Sequence, residues 1–233
     1  FCRIIKSLTE SLRGIFVPFY GFITDYLIGH LRARDSAERV AKVLKGRSSS
    51  GSSKKRQRDE EELDGLQEAE LQLVSVILDS LAMCFVNDTQ GVFVDSAFGQ
   101  LVGVIVDQLD NYAIGPERYS KFVECSLVPC VAQLAVAASK DSTGRQEKWK
   151  TLNHQILLRT RNEGNADVRC HAIRAIAELW RKAGEDIVSV LPETVPYLSE
   201  ALQDSDTRVE ASANELAEVM QSYLGEESLR DYL

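Results

Sequence analysis

Three histidines, two tryptophans, two methionines and a 7% share of aromatic residues leave little material for catalysis, metal binding or base stacking. His30, His154 and His171 lie far apart in the chain. Cys170 and His171 are adjacent, and adjacent residues of a helix point in different directions, so they make no chelate. The five cysteines, Cys2, Cys84, Cys125, Cys130 and Cys170, are odd in number and scattered, which argues against a disulfide framework. Cys125 and Cys130 lack the close pairing that zinc requires. All five read as reduced core residues, as expected of a cytosolic or nuclear protein. There is no glycine-rich phosphate loop, no nucleophile elbow and no paired-histidine metalloprotease motif. The acidic residues are dispersed without an acid/base pair. The sequence therefore predicts a non-enzyme with no catalytic residue, no cofactor, no metal and no small-molecule substrate. No signal-peptide layout is evident, and no apolar run approaches the roughly 18 to 20 residues that cross a bilayer, so a soluble intracellular chain without a membrane partner is expected.

What is present is globular material: 233 residues, 44% apolar and 27% charged, enough to bury a sizeable core. The net charge of −8 argues against wholesale nucleic-acid binding, but the charge comes in blocks. Residues 1–58 hold 13 basic and 4 acidic side chains, and 59–124 hold 2 and 14. Residues 125–182 hold 10 and 5, and 183–233 hold 2 and 12. Different faces could thus meet different partners, or the blocks could be solvated helix surface.

Apolar residues recur at three- and four-residue intervals from the start: Ile4, Leu8, Leu12, Ile15, Phe16, Phe19, Ile23, Leu27 and Leu31. Gly14, Pro18 and Gly21 interrupt them, and Pro18 predicts a kink or two helices. Because Phe1 already lies inside this pattern, the chain reads as part of a longer polypeptide, with 1–45 a helical segment continuing a longer solenoid. Residues 46–64 combine glycine, serine, a basic run and an acidic run, and are expected to form a disordered linker. Residues 65–233 then read as helix after helix, forming the C-terminal end. One helix is predicted around Leu73 to Phe85, another after a cap at Asp95 or Ser96, and a further one starting at Gly115-Pro116. Val92, Phe93 and Val94 could form a short strand, but no partner strand is evident.

From Trp149 the sequence repeats loosely with a shift of 41 residues, which carries Val168 onto Val209, Ala172 onto Ala213 and Leu179 onto Met220. A period near 40 is that of a two-helix HEAT or armadillo unit. The expected fold is therefore all-α, a HEAT/armadillo-like α-α superhelix of stacked helical hairpins. Its last helix should turn Glu210, Glu215 and Glu218 outward, because no further repeat covers it.

Three runs point to a family: Leu127-Val128-Pro129-Cys130-Val131-Ala132-Gln133, the stretch from Trp149 to Arg161, and Leu191-Pro192-Glu193-Thr194-Val195-Pro196-Tyr197-Leu198. Together they resemble the C-terminal region of the large HEAT-repeat, U3 small nucleolar RNA-associated protein family of the small-subunit processome. That resemblance implies a nucleolar, non-catalytic scaffold supporting pre-rRNA transcription and processing and 18S rRNA maturation. Its implied partners are other processome proteins and, on an alternative reading, pre-rRNA or U3 small nucleolar RNA. A second alternative is a peptide-binding HEAT adaptor of transport-receptor type.

Two candidate surfaces follow. The basic run Lys54, Lys55, Arg56 and Arg58 suits an import signal, since the acidic residues 59–62 beside it would repel a polyanion. Lys148, Lys150, Arg159, Arg161, Arg174, Arg181 and Lys182 could line one ridge facing RNA or an acidic partner. Arg169 is expected instead to pair with an acidic residue of the neighbouring repeat.

Overall fold

A computed structural model describes residues 1–32, 53–112, 115–140, 144–224, 229 and 232, with 53–63 described as backbone only. Helix α1 (Cys2–Leu12) ends before Gly14, and two 3-10 turns, Arg13–Ile15 and Val17–Phe19, lead into α2 (Tyr20–Leu31). Two helices thus stand where Pro18 led to a kink or two helices being expected; α1 stops at Arg13, whose φ is 49°, and Pro18 opens the second turn. Next come α3 (Ser53–Asn87), α4 (Val92–Val106), α5 (Pro116–Phe122), α6 (Val128–Ala138) and α7 (Arg145–Thr160). The chain continues through α8 (Ala166–Ala183), α9 (Leu191–Ala201) and α10 (Thr207–Tyr223). No strand occurs among the described residues.

The helices form two rows. In the first, α1, α3, α6, α8 and α10 pack side by side in chain order. In the second, α2, α4, α7 and α9 do the same, and the loops cross between rows. This is the stacked α-α hairpin architecture of HEAT-type arrays, in which each layer buries its apolar face against its neighbours.

The 41-residue repeat is explicit in the last two hairpins, α7–α8 and α9–α10. Asn165 and Asp206, one period apart, cap α8 and α10, their side chains accepting from the Asp167 and Arg208 amides. Val168 and Val209, Ala172 and Ala213, and Leu179 and Met220 are all fully buried. Asn153 and Thr194, also one period apart, meet directly at 3.1 Å through Nδ2 and Oγ1.

Polar anchors fix the other layers. The Tyr20 hydroxyl donates to the Ser80 carbonyl at 2.7 Å and lies 2.8 Å from Thr9 Oγ1, tying α1, α2 and α3 together inside the core. Gln108 Nε2 donates to the carbonyl of Leu31, one of the last in α2 that would otherwise lack a partner. Between α5 and α6, residues Val123–Leu127 form a π-helical turn in which the Val128 amide reaches back to Val123. Pro129 explains it: it offers no amide to the carbonyl four residues earlier.

Several expectations are corrected. Of the apolar series from Ile4 to Leu31, Leu27 and Leu31 are buried as expected, but Ile4, Leu8, Leu12, Ile15 and Phe19 are exposed, and α1 buries Ile5 and Thr9 instead. Helix α3 begins at Ser53, inside the stretch read as a linker; residues 53–63 are rich in Lys, Arg, Gln and Glu, which all favour helix, while 46–52 lie outside the described residues. Val92 to Val94 open α4, whose start is capped by Asp88 Oδ2 accepting from the Val94 amide at 2.9 Å, earlier than Asp95 or Ser96. Finally, the helical stretches 64–87, 92–110 and 116–138 are long and apolar enough to cross a membrane by length and composition. Inside an array a helix has neighbours on both sides, so its apolar stripe widens and the amphipathic contrast fades.

Candidate functional site

The cations proposed from the sequence divide between the two rows. Lys148, Lys150, Arg159 and Arg161 belong to α7 in the second row, and Arg174, Arg181 and Lys182 to α8 in the first. Each is engaged with a carboxylate. Lys148 meets Asp95 of α4 at 2.5 Å, and Arg159 reaches Asp107 at 2.5 Å and Asp110 at 3.4 Å in the turn after α4. Arg161 forks onto Glu200 of α9 at 2.6 and 2.5 Å and stacks over the Tyr197 ring, 3.9 Å from its centroid. Arg174 meets Glu124 at 3.0 Å, and Arg181 pairs with Glu215 of α10. Lys150 and Lys182 pair within their own helices, with Glu147 and Glu178. Lys148, Arg159, Arg161, Arg174 and Arg181 therefore form rungs between layers, whereas Lys150 and Lys182 do not.

Arg169 is the central rung. Its Nε and Nη2 donate to the two carboxylate oxygens of Asp204 at 2.8 and 2.9 Å, and Nη1 donates to the Asn162 carbonyl. Such a planar fork on a carboxylate is stronger and more directional than a single ammonium contact. The guanidinium holds the Asp204 carboxyl below its ordinary range, helped by the Asp206 amide. Next to it, Arg208 bridges Asp206 and Asp167, and the Asp206 carboxyl is pushed down to about 2 by Arg208. Asp204 serves the turn as well as the rung.

Titratable groups off the ladder are chiefly structural. His171 is buried, edge-to-face with the Tyr119 ring at 5.3 Å between centroids, and its Nδ1 has no hydrogen-bond partner. Burial, reinforced by Arg174, pushes its proton affinity down. Cys84, Cys130 and Cys170 are buried as expected, whereas Cys125 is exposed and Cys2 half-buried. Burial pushes the Cys84 and Cys130 thiols up, away from the reactive thiolate. Among the described residues no cluster of three or more His, Cys, Asp or Glu side chains could hold a metal ion. The side chains of Lys54, Lys55, Arg56 and Arg58 lie outside the described residues.

Comparison with known proteins converges on one group. The BP28CT (NUC211) domain matches residues 1–93. HEAT repeat-containing protein 1 of Danio rerio is 33% identical over 226 residues, covering 97% of this chain and 10% of the relative. The human protein of that name is 35% identical over 154 residues, 66% of this chain and 7% of its own length. U3 small nucleolar RNA-associated protein 10 of Schizosaccharomyces pombe is 29% identical over 235 residues, 100% of this chain and 12% of its own. The chain belongs to the HEAT repeat-containing protein 1 family. It spans about a tenth of the length of the curated relatives it matches.

In this family member the carboxylate partners were the part that residue reading missed. Asp95, Asp107, Asp110, Glu124, Glu200 and Glu215 gave no local motif, and only the charge blocks hinted at them. The basic block 125–182 lies between acidic blocks 59–124 and 183–233 in the chain. Layers stack in chain order, so cations of the basic block 125–182 meet carboxylates of the acidic blocks on either side. Block alternation is the sequence signature of the ladder.

Proposed function

We propose that this chain is a non-catalytic scaffold module in ribosome biogenesis, working in the nucleolus as part of the small-subunit processome. In that role it supports pre-rRNA transcription and processing and 18S rRNA maturation by docking other processome proteins. The observation that carries the reading is the match along the whole chain to a protein named as U3 small nucleolar RNA-associated. The geometry is consistent with it: arginines that fork onto carboxylates across successive layers stiffen the array and give it a fixed surface. Lys54, Lys55, Arg56 and Arg58 serve in this reading as an import signal.

Because the basic residues 148–182 already hold carboxylates, an RNA would have to displace Asp95, Asp107, Glu124 and Glu200 to reach them. The scaffold reading therefore assigns docking to protein surfaces and not to that ridge. The test is replacement of the endogenous protein by one lacking these residues, with 18S precursors measured and crosslinked contacts mapped at two salt concentrations. Accumulated precursors with salt-resistant protein crosslinks are expected. Normal 18S maturation sinks the reading, and RNA-only crosslinks lost steeply with salt replace it with direct RNA binding.

A further inference from the structure

In the first row α6 lies directly against α3, yet the chain reaches α6 through α5 and the π-helical turn Val123–Leu127. Helix α5 packs on that turn and on α8. It meets α3 through Arg118, whose Nη1 and Nη2 donate to the Asp64 carboxylate at 2.6 and 2.8 Å and whose Nε lies 3.6 Å from Glu68. Beside that clamp an open groove of about 580 Å³ remains between the two helices, reaching α1 at Arg3. Its floor is apolar, with Leu71, Val76 and Phe122, and the π turn brings the exposed Cys125 to its wall. Such a turn re-aims the side chains it carries, and it recurs at functional sites.

The charge of the groove runs against its surroundings. Residues 59–124 hold 14 acidic side chains and 2 basic ones, Arg118 and Lys121, and both basic ones line it. Arg3 joins them from α1. Arg118 is paired, but Arg3 and Lys121 are exposed and engage no carboxylate among the described residues, unlike the cations of the ladder. An apolar floor between open cations fits a ligand that offers an apolar side chain and carboxylates together. Phe122 is only 3% exposed, too little for a base to stack on, so the groove suits a peptide better than single-stranded nucleic acid.

We propose that the groove between α3 and α5 is a docking site for a short acidic segment of a partner protein. The segment seats a bulky apolar side chain on Leu71, Val76 and Phe122 and sets its carboxylates against Arg3 and Lys121. This deepens the scaffold reading above and rests on it for the partner being a protein.

A displayed library of short random peptides, selected on this chain, tests the assignment. Enriched peptides should place Asp or Glu beside Leu or Phe, and should bind the Arg3→Glu, Lys121→Glu double variant about tenfold or more weakly. That variant should melt like the parent, since both side chains are exposed. Bound peptide should slow alkylation of Cys125 by iodoacetamide about fivefold or more, because thiol reactivity needs access. Lys150→Glu, in the second row, should change neither result. A selection that yields no such peptide, or peptides that bind the double variant equally or leave Cys125 alkylation unchanged, overturns the proposal. A uridine oligonucleotide that shields Cys125 where no selected peptide does overturns it in favour of a phosphate site. The selection reads the groove alone, so its failure leaves the 18S assay of the scaffold reading untouched, and normal 18S maturation removes that reading without touching the groove.

Discussion

Separating Arg169 from Asp204 is the sharpest test of whether interlayer pairs hold the array together. Both side chains are largely shielded, at 15% and 13% exposure, and they share two hydrogen bonds of 2.8 and 2.9 Å. Hydrogen bonds to charged groups contribute about 1.5–3 kcal/mol each, and removing one partner of a buried pair costs about 3–5 kcal/mol. Arg169→Met sits at the low end, about 3 kcal/mol, because the stranded Asp204 keeps its bond from the Asp206 amide and some water. Asp204→Asn keeps that amide bond too and should cost about 2 kcal/mol. The double variant should fall short of the summed single effects by about 1.5–2 kcal/mol, the coupling of the pair. At this chain length 2 kcal/mol is about 4–8 °C in Tm, well within reach of urea or thermal unfolding. The pair also has a pH signature. Its carboxyl is depressed below the ordinary 3.8, so its contribution is complete above that value and is lost as the pH falls through the lower, folded-state value. Additive single effects, to within about 0.5 kcal/mol, would refute an energetic role for the rung.

Four further outcomes follow from burial and backbone geometry. Leu216→Asp places an unpaired charge in the α8–α10 interface at a site only 2% exposed, and should cost several kcal/mol in chemical unfolding; an unchanged midpoint refutes the assigned core face. His171 is held neutral by burial, so the unfolded chain takes up its proton first: stability should fall as pH drops below 6.5, and His171→Asn should flatten that slope in melting curves taken down to about pH 5. Gly184 closes α8 at φ 62° and ψ −143°, a region other residues avoid, so Gly184→Ala should cost about 1–3 kcal/mol. Gly103 lies inside α4 with open space where a Cβ would go, so Gly103→Ala should stabilise by about 0.5–1 kcal/mol, and equal signs for the two glycines would contradict the reasoning.

The fold was legible in the sequence wherever a local signal and its tertiary use coincide. The 41-residue shift that carries Val168 onto Val209 holds because both residues occupy the same slot between layers. Gly115-Pro116 starts a helix where expected because a missing amide costs nothing at a helix's first position. Legibility failed where a residue's partner lies in another layer. Periodicity identified the stripe of Ile4, Leu8 and Leu12 but not its direction, since an apolar face looks the same whether a neighbour covers it or not. The basic residues of 148–182 looked like a ridge because sequence proximity hid their division between two rows and their engagement with Asp95, Glu124 and Glu200.

The charge blocks and the exposed stripe obey one rule of stacked arrays. Each layer touches only the layers before and after it, so whatever a layer presents on its edges must be answered by its neighbour. Between α7–α8 and α9–α10 the apolar core is edged by ionic rungs, with Arg161, Arg169 and Arg181 on one side and Glu200, Asp204 and Glu215 on the other. Between α1 and α3 a single pair is added, Lys6 meeting Asp79 at 2.8 Å beside a core that includes Ile5. Ionic rungs discriminate: sliding one layer past the next sets like charges opposite each other, whereas apolar faces tolerate such slippage. The ladder therefore fixes the register of the last layers.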